Sequence, residues 1–233
     1  SKYCSAEDGR RPVVKSQGGY GTCWALAATS ALEASLLPKT HAIFSADHMA
    51  LKNAFSVTLN DGGDYRMAMA YLAGWQGPVS EEADAYGDAY SPDGLLPAVH
   101  VQEMRLYEDA PREKLKKAIQ TYGAVQTSLY MSRATTAEDQ PYYNAYFSAY
   151  EYPTAEEPSH DVILVGWDDT VSRFLFRDVP EEDGAWVCQN SWGSSFGEDG
   201  LVYVSYADAT IAGQAIAYTR MEPTDNYDRI YQT

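Results

Sequence analysis

The apolar positions of this chain change their period part-way along. From Trp24 to Leu37 they recur at i, i+4 and i+8 through Ala28, Leu32 and Leu36, Trp24 extends that face backwards, and Pro38 ends the run. This predicts a helix. A second is expected in FSADHMALKN, with Ser45 as its N-cap, and a third in GGDYRMAMAYLAGW, opened by Gly62 and Gly63 with Met67 and Tyr71 on one face. The fourth, DAPREKLKKAIQTYG, carries a stripe of Leu115, Ala118, Ile119 and Tyr122; Asp109 is its expected cap and Gly123 its stop. Beyond it the spacing shortens. AVQTSLY, HDVILVGWDD, RFLFRDV, AWVCQNSW, GLVYVSYA and AIAYTRM are β-branched or aromatic runs separated by Gly, Asp and Pro, and they read as strands. Helices first and strands second indicate an α+β class with segregated halves, the division falling near Tyr107 to Pro111 and a cleft between the halves.

With 233 residues the chain can form one large domain or two small ones, and its apolar share is ordinary for a globular protein. No apolar run approaches the roughly 20 residues needed to cross a bilayer. The opening SKYCSAEDGR has no apolar centre and no initiating Met, so the expectation is a mature product or an excised domain. A formal charge of −16 argues against nucleic acid and anionic membranes as partners, and the dispersed acidic residues read as a solvated face. Nineteen tyrosines suit a wet, aromatic-lined surface or an extracellular protein. Three cysteines, Cys4, Cys23 and Cys188, permit at most one disulfide. There is no CxxC, HExxH, P-loop or EF-hand spacing, so no metal and no cofactor is expected.

The chemistry concentrates around Cys23. A free cysteine is usually a buried, inert thiol. This one stands where a glycine-rich turn, QGGYGT, meets a predicted helix. Unpaired N–H groups and the helix dipole favour a thiolate there, and a nucleophile so placed has its own N–H available for an oxyanion. Gly18, Gly19 and Gly21 let backbone approach a ligand. A thiolate nucleophile needs a base and an orienter for that base. His160, opening HDVILVGWDD, is the candidate base, and Asn190 in QNSWG the candidate orienter. Each alone has a plain structural reading: a histidine before a strand, an asparagine in a turn.

Taken together, PVVKSQGGYGTCWALA, FSADHMALKN, NDGGDY, SHDVILVGWDD and QNSWGSSFGEDG resemble the papain-like cysteine peptidases, in that family's order and nearly end to end. The resemblance implies a two-lobe fold: a helical lobe over about 8–107, an antiparallel β-barrel-like lobe over about 108–220, and the active site between them. Cys23 would be the nucleophile, His160 its proton partner in a thiolate–imidazolium pair, and Asn190 the holder of the His160 ring, shielded by Trp192. Gln17 would donate to an oxyanion hole beside the Cys23 N–H. Gly62 and Gly63 would present backbone to an extended substrate, and Asp64, Tyr65 and Ser128 would line the pocket for the second residue before the scissile bond. Asp64 would tilt that pocket toward polar or basic side chains.

The resemblance has a bacterial, secreted or surface character. It implies a monomer acting on protein or peptide, with an extracellular or cell-surface setting and a propeptide or lectin-like companion domain outside this chain. Two departures coincide. Tyr20 stands where the family usually has a cysteine and Asn60 where that cysteine's partner lies, so one disulfide is absent as a unit and Tyr20 is expected to pack in its place. Cys4 and Cys188 either bridge or stay free. Other readings of the same residues are a transpeptidase or amidase of cell-wall peptides, and an inactive surface binding module.

Overall fold

The structure, a computed structural model, describes residues 1–131 and 141–226. The elements in chain order are β1 (Lys2–Cys4), α1 (Cys23–Leu36), α2 (Ala46–Leu51), α3 (Tyr65–Ala73), β2 (His100–Glu108), α4 (Arg112–Tyr122), β3 (Val125–Leu129), β4 (Tyr143–Asn144), β5 (Ala149–Tyr150), β6 (His160–Asp168), β7 (Ala185–Gln189), β8 (Leu201–Ser205) and β9 (Gln214–Glu222).

Helix α1 is buried continuously from Trp24 to Ala34. Its alanines let neighbours approach on every side, so it serves as a central rod rather than an amphipathic surface helix. It contacts β6, β9 and β3 on one side and α2 and α3 on the other. The buried Glu33 in this rod is paired with Lys15, whose Nζ lies 2.6 Å from Glu33 Oε1 and 3.0 Å from Thr29 Oγ1. The segment leading to the glycine turn is thereby pinned to α1.

The sheet runs β2–β9–β3–β6–β7–β8–β5–β4, with β1 added to β6. Strand β6 is buried from His160 to Trp167, which its unbroken apolar run requires of a strand covered on both faces. Alternation divides its side chains: Ile163 and Val165 join the α1 core, while Val162 and Leu164 join a second core with Leu115 and Ile119 of α4. Gly166 leaves room for the Tyr3 carbonyl of β1, which a Cβ would strike.

The α+β class holds, and five of the six expected strands form. Among the described residues the sheet is not closed into a barrel: β4 is two residues long and pairs there only with β5, so the two ends of the strand order do not meet. RFLFRDV is not a strand. Arg173–Leu175 forms a 3₁₀ turn because Ser172 Oγ accepts from the Phe174 N–H and Asp183 accepts from the Arg173 N–H, diverting the donors a ladder would use. Asp109 does not cap α4; it takes a left-handed φ of 43°, its N–H goes to the Gly213 carbonyl, and Pro111 occupies the N-cap. Gly123 ends α4 as expected, and Ser45 Oγ caps α2 by accepting the His48 N–H. Helix α3 is capped by Asp64 rather than opened by the glycines before it.

Candidate active site

The turn from Gln17 to Thr22 delivers Cys23 as the first residue of α1. The start of this turn is stitched to the turn after β7. The Gln17 N–H donates to the Ser191 carbonyl at 2.7 Å, and the Gly193 N–H to the Lys15 carbonyl at 3.0 Å. Its far end lies on the 59–62 loop, where the Gly21 N–H donates to the Leu59 carbonyl at 2.8 Å. A Cβ on Gly21 would press on Gly62 backbone. These are the loops that the absent disulfide would have joined. Tyr20 is half-buried and packs against the α1 core, as expected of it.

Partner chemistry fixes the orientation of two side-chain amides. Gln17 Oε1 accepts from Ser191 Oγ at 2.8 Å and from Trp192 Nε1 at 3.2 Å; the indole can only donate, so the oxygen faces it. Gln17 Nε2 then donates one proton to the Tyr20 carbonyl at 2.8 Å and retains a second. Asn190 Oδ1 accepts the Ser191 N–H at 2.7 Å, which identifies it as the oxygen. His160 Nε2, 2.7 Å from the same Oδ1, must therefore be the protonated ring nitrogen. That tautomer leaves Nδ1 with a lone pair. Trp192 covers the bond, its ring centroid 5.0 Å from that of His160.

One cleft of about 490 Å³ is lined by Gln17, Tyr20, Cys23, Asn60, Gly62, Gly63, Met131, Ser159, His160 and Trp192, together with Ser16 and the glycines of the turn. The candidate nucleophile, base and oxyanion donor thus share one cavity. Burial acts against each charge taken singly. It pushes the Cys23 thiol up to about 12, helped by the negative Asp161, although the N–H groups of Asp161, Trp24 and Cys23 pull the other way. It holds His160 down to about 4 against the opposing effect of its Asn190 bond. The N–H groups at the helix start favour the thiolate, as expected there, while desolvation opposes it more strongly.

The papain family cysteine protease profile matches residues 5–219. The chain belongs to the papain family of cysteine proteases. A cathepsin L-like protein of Caenorhabditis elegans is 27% identical over 200 residues, covering 82% of this chain and 55% of that protein. Among solved structures, the clostridial cysteine protease Cwp84 after propeptide cleavage superposes with a TM-score of 0.87 at 25% identity, over 99% of this chain and 60% of that one. The cysteine protease and lectin-like domains of Cwp84, a surface layer associated protein of Clostridium difficile, give 0.83 at 25% identity, over 96% of this chain and 52% of that one. This papain-family chain therefore spans little more than half the length of the relatives it matches.

Of the residues singled out in the sequence, Gln17, Cys23, His160, Trp192, Gly62 and Gly63 meet at the cleft, with Asn190 directly behind His160. Gly63 packs so closely on the Trp24 indole that a Cβ would overlap it. Asp64, Tyr65 and Ser128 are not among the lining residues. Asp64 accepts the Arg66 N–H as the α3 cap, Tyr65 is buried in the α1 core, and the Ser128 hydroxyl donates to Asp161 at 2.6 Å.

Met131 and Ser159 line the β side and were missed by the sequence reading. The Ser159 hydroxyl accepts the Met131 N–H and donates to the Met131 carbonyl. Pairing of Leu129 with His160 puts them together, so the missing signal was strand register. Asp161 was also missed. It is buried behind His160, bonded to Ser128 and Gln126, and burial raises its carboxyl to about 6. All three cysteines are free thiols. The described residues contain no cluster of three or more candidate metal ligands, and no described helix is long and apolar enough to cross a membrane.

Proposed function

We propose that this chain is the catalytic domain of a cysteine peptidase. The observation that carries the reading is the convergence of Cys23, His160 and Gln17 on one cleft, with the His160 tautomer held by Asn190. His160 Nδ1 takes the thiol proton as Cys23 Sγ attacks the scissile carbonyl carbon. The carbonyl π electrons pass to oxygen, which receives hydrogen bonds from Gln17 Nε2 and the Cys23 N–H. The C–N bond then breaks, His160 returns the proton to the leaving amine, and a thioester remains. Water, deprotonated by His160, releases the acid and restores the thiol. Since burial opposes either charge alone, thiolate and imidazolium form together.

Gly62 and Gly63 offer backbone to an extended peptide. Asp64 is exposed enough to meet a basic side chain at the cleft rim, though its carboxylate already serves Arg66. The similarity to Cwp84 supports a bacterial surface or extracellular setting, a removed propeptide and a companion domain. The helical lobe is read as about 8–107 and the β lobe as about 108–220, in a monomeric domain.

The test is hydrolysis of casein and fluorogenic dipeptides by the wild type and by Cys23→Ala, with iodoacetamide mapping at pH 6. Selective labelling of Cys23 together with hydrolysis lost in the variant is the expected result. Equal, slow labelling of all three cysteines with no hydrolysis overturns the reading.

A further inference from the structure

Tyr86 lies outside the residues lining the cleft, yet its hydroxyl touches both halves of the nucleophile turn. It is 2.8 Å from the Gln17 carbonyl and 2.5 Å from Thr22 Oγ1. A carbonyl only accepts, so the phenol proton goes to Gln17 and the Thr22 hydroxyl donates to the phenol oxygen. Thr22 is the N-cap of α1, and threonine there ordinarily bonds the second or third helical N–H. Here its hydroxyl is committed to Tyr86 and makes no capping bond, so it does not draw on the N–H groups that open α1.

The segment carrying Tyr86 is itself fixed. Its N–H donates to Glu81 Oε1 at 3.0 Å, and the next N–H, of Gly87, donates to the buried Asp47 of α2 at 2.9 Å. Burial holds the phenol protonated, its pKa raised to about 12.

We propose that Tyr86 is a positioning residue for the oxyanion site: by tying the Gln17 backbone to the Thr22 side chain it fixes the distance between the two donors, Gln17 Nε2 and the Cys23 N–H. The proposal rests on the peptidase reading above. It assigns Tyr86 no contact with substrate. Without the hydroxyl, the Gln17 carbonyl and Thr22 lose their common partner, and the donors are no longer held for an oxygen that both must reach.

Two reagents separate this role from general support of the fold. A peptide aldehyde, acetyl-Leu-Leu-norleucinal, adds Cys23 Sγ to its carbonyl carbon and places the resulting oxygen between the donors. Iodoacetamide alkylates the same Sγ by displacing iodide and creates no oxyanion. Tyr86→Phe is expected to weaken aldehyde binding about 10-fold, while the rate and stoichiometry of Cys23 alkylation stay within about 2-fold of wild type. Gln17→Ala is run beside it and should weaken the aldehyde by more. If Gln17→Ala weakens the aldehyde and Tyr86→Phe does not, the clamp is wrong. It is equally overturned if Tyr86→Phe slows alkylation as much as it weakens the aldehyde, since Tyr86 would then support the whole turn. If the wild type does not bind the aldehyde, or Gln17→Ala leaves binding unchanged, the failure lies in the oxyanion reading beneath the proposal.

Discussion

The two walls of the cleft hold their functional groups by different means. His160 opens β6 opposite Leu129 of β3, and Asn190 follows the end of β7, whose Gln189 pairs with Ile163 of β6. Gln17 and Cys23 stand on a turn rich in glycine whose own backbone makes few bonds. That turn is held by tethers from elsewhere: Ser191 and Trp192 on Gln17, Leu59 on Gly21, Tyr86 on both ends, and Lys15 on α1 just before it. The His160 backbone is placed by the strand ladder, with the Asn190 side chain on its ring. The nucleophile wall depends on individual side chains, so it should fail one residue at a time.

The comparison can be broken by measurement. Cys23→Ala should lower peptide hydrolysis by at least about 10⁴-fold without unfolding the chain; a smaller loss would take the thiol out of the chemistry. Lys15→Met should cost about 3–5 kcal/mol in urea unfolding, because it leaves Glu33 buried and unpaired. A cost under about 1 kcal/mol would mean that the nucleophile wall is not pinned to α1 through this pair. Gln17→Ala should reduce kcat about 10²–10³-fold, or about 3–4 kcal/mol, with the thermal midpoint little changed. A pure rise in KM would instead make Gln17 a substrate-binding residue.

The sheet wall offers a test by pH. Asp161 has its carboxyl raised from the ordinary 3.8 to about 6, so between those values the folded state binds more protons than the unfolded state. Its contribution to stability therefore falls as pH rises from about 4 to 6 and is level beyond. The amount is about 2–3 kcal/mol. His160, held down to about 4, contributes in the opposite sense: stability rises with pH from about 4 to 6.5. The wild type minus Asp161→Asn difference isolates the carboxyl, since His160 is common to both proteins. A difference that does not change over pH 4–7 would show that the raised pKa is not real. The smallest effect expected is for Asp64→Ala, about 1 kcal/mol from loss of the α3 cap. If the same substitution removes a preference for basic residues in a panel of dipeptide substrates, Asp64 also acts at the cleft.

Much of this was legible because it was local. Period, caps and turn residues mark α1, α2 and β6, and Cys23, His160 and Asn190 each stand at the end of an element. What escaped depends on pairing between distant segments. β2 carries Glu103 and Arg105 amid its apolar residues, and it is a strand because β9 borders it on one side only. Asp161 looked like an ordinary member of a strand motif until Gln126 and Ser128 were seen to converge on it. Tyr86 gave no signal, since its importance lies in a reach of 64 residues to Thr22 and 69 to Gln17.

The double-sided burial of β6 has a consequence for how the molecule opens. A strand that belongs to the α1 core on one face and the α4 core on the other cannot detach without disrupting both. The amides of Ile163 to Val165 should therefore exchange with solvent only through global unfolding, whereas those of the Gln17–Thr22 turn exchange through small local openings. Partial unfolding would release the Gln17–Thr22 turn first and leave His160 in place, so loss of peptide hydrolysis on gentle denaturation should precede loss of the sheet.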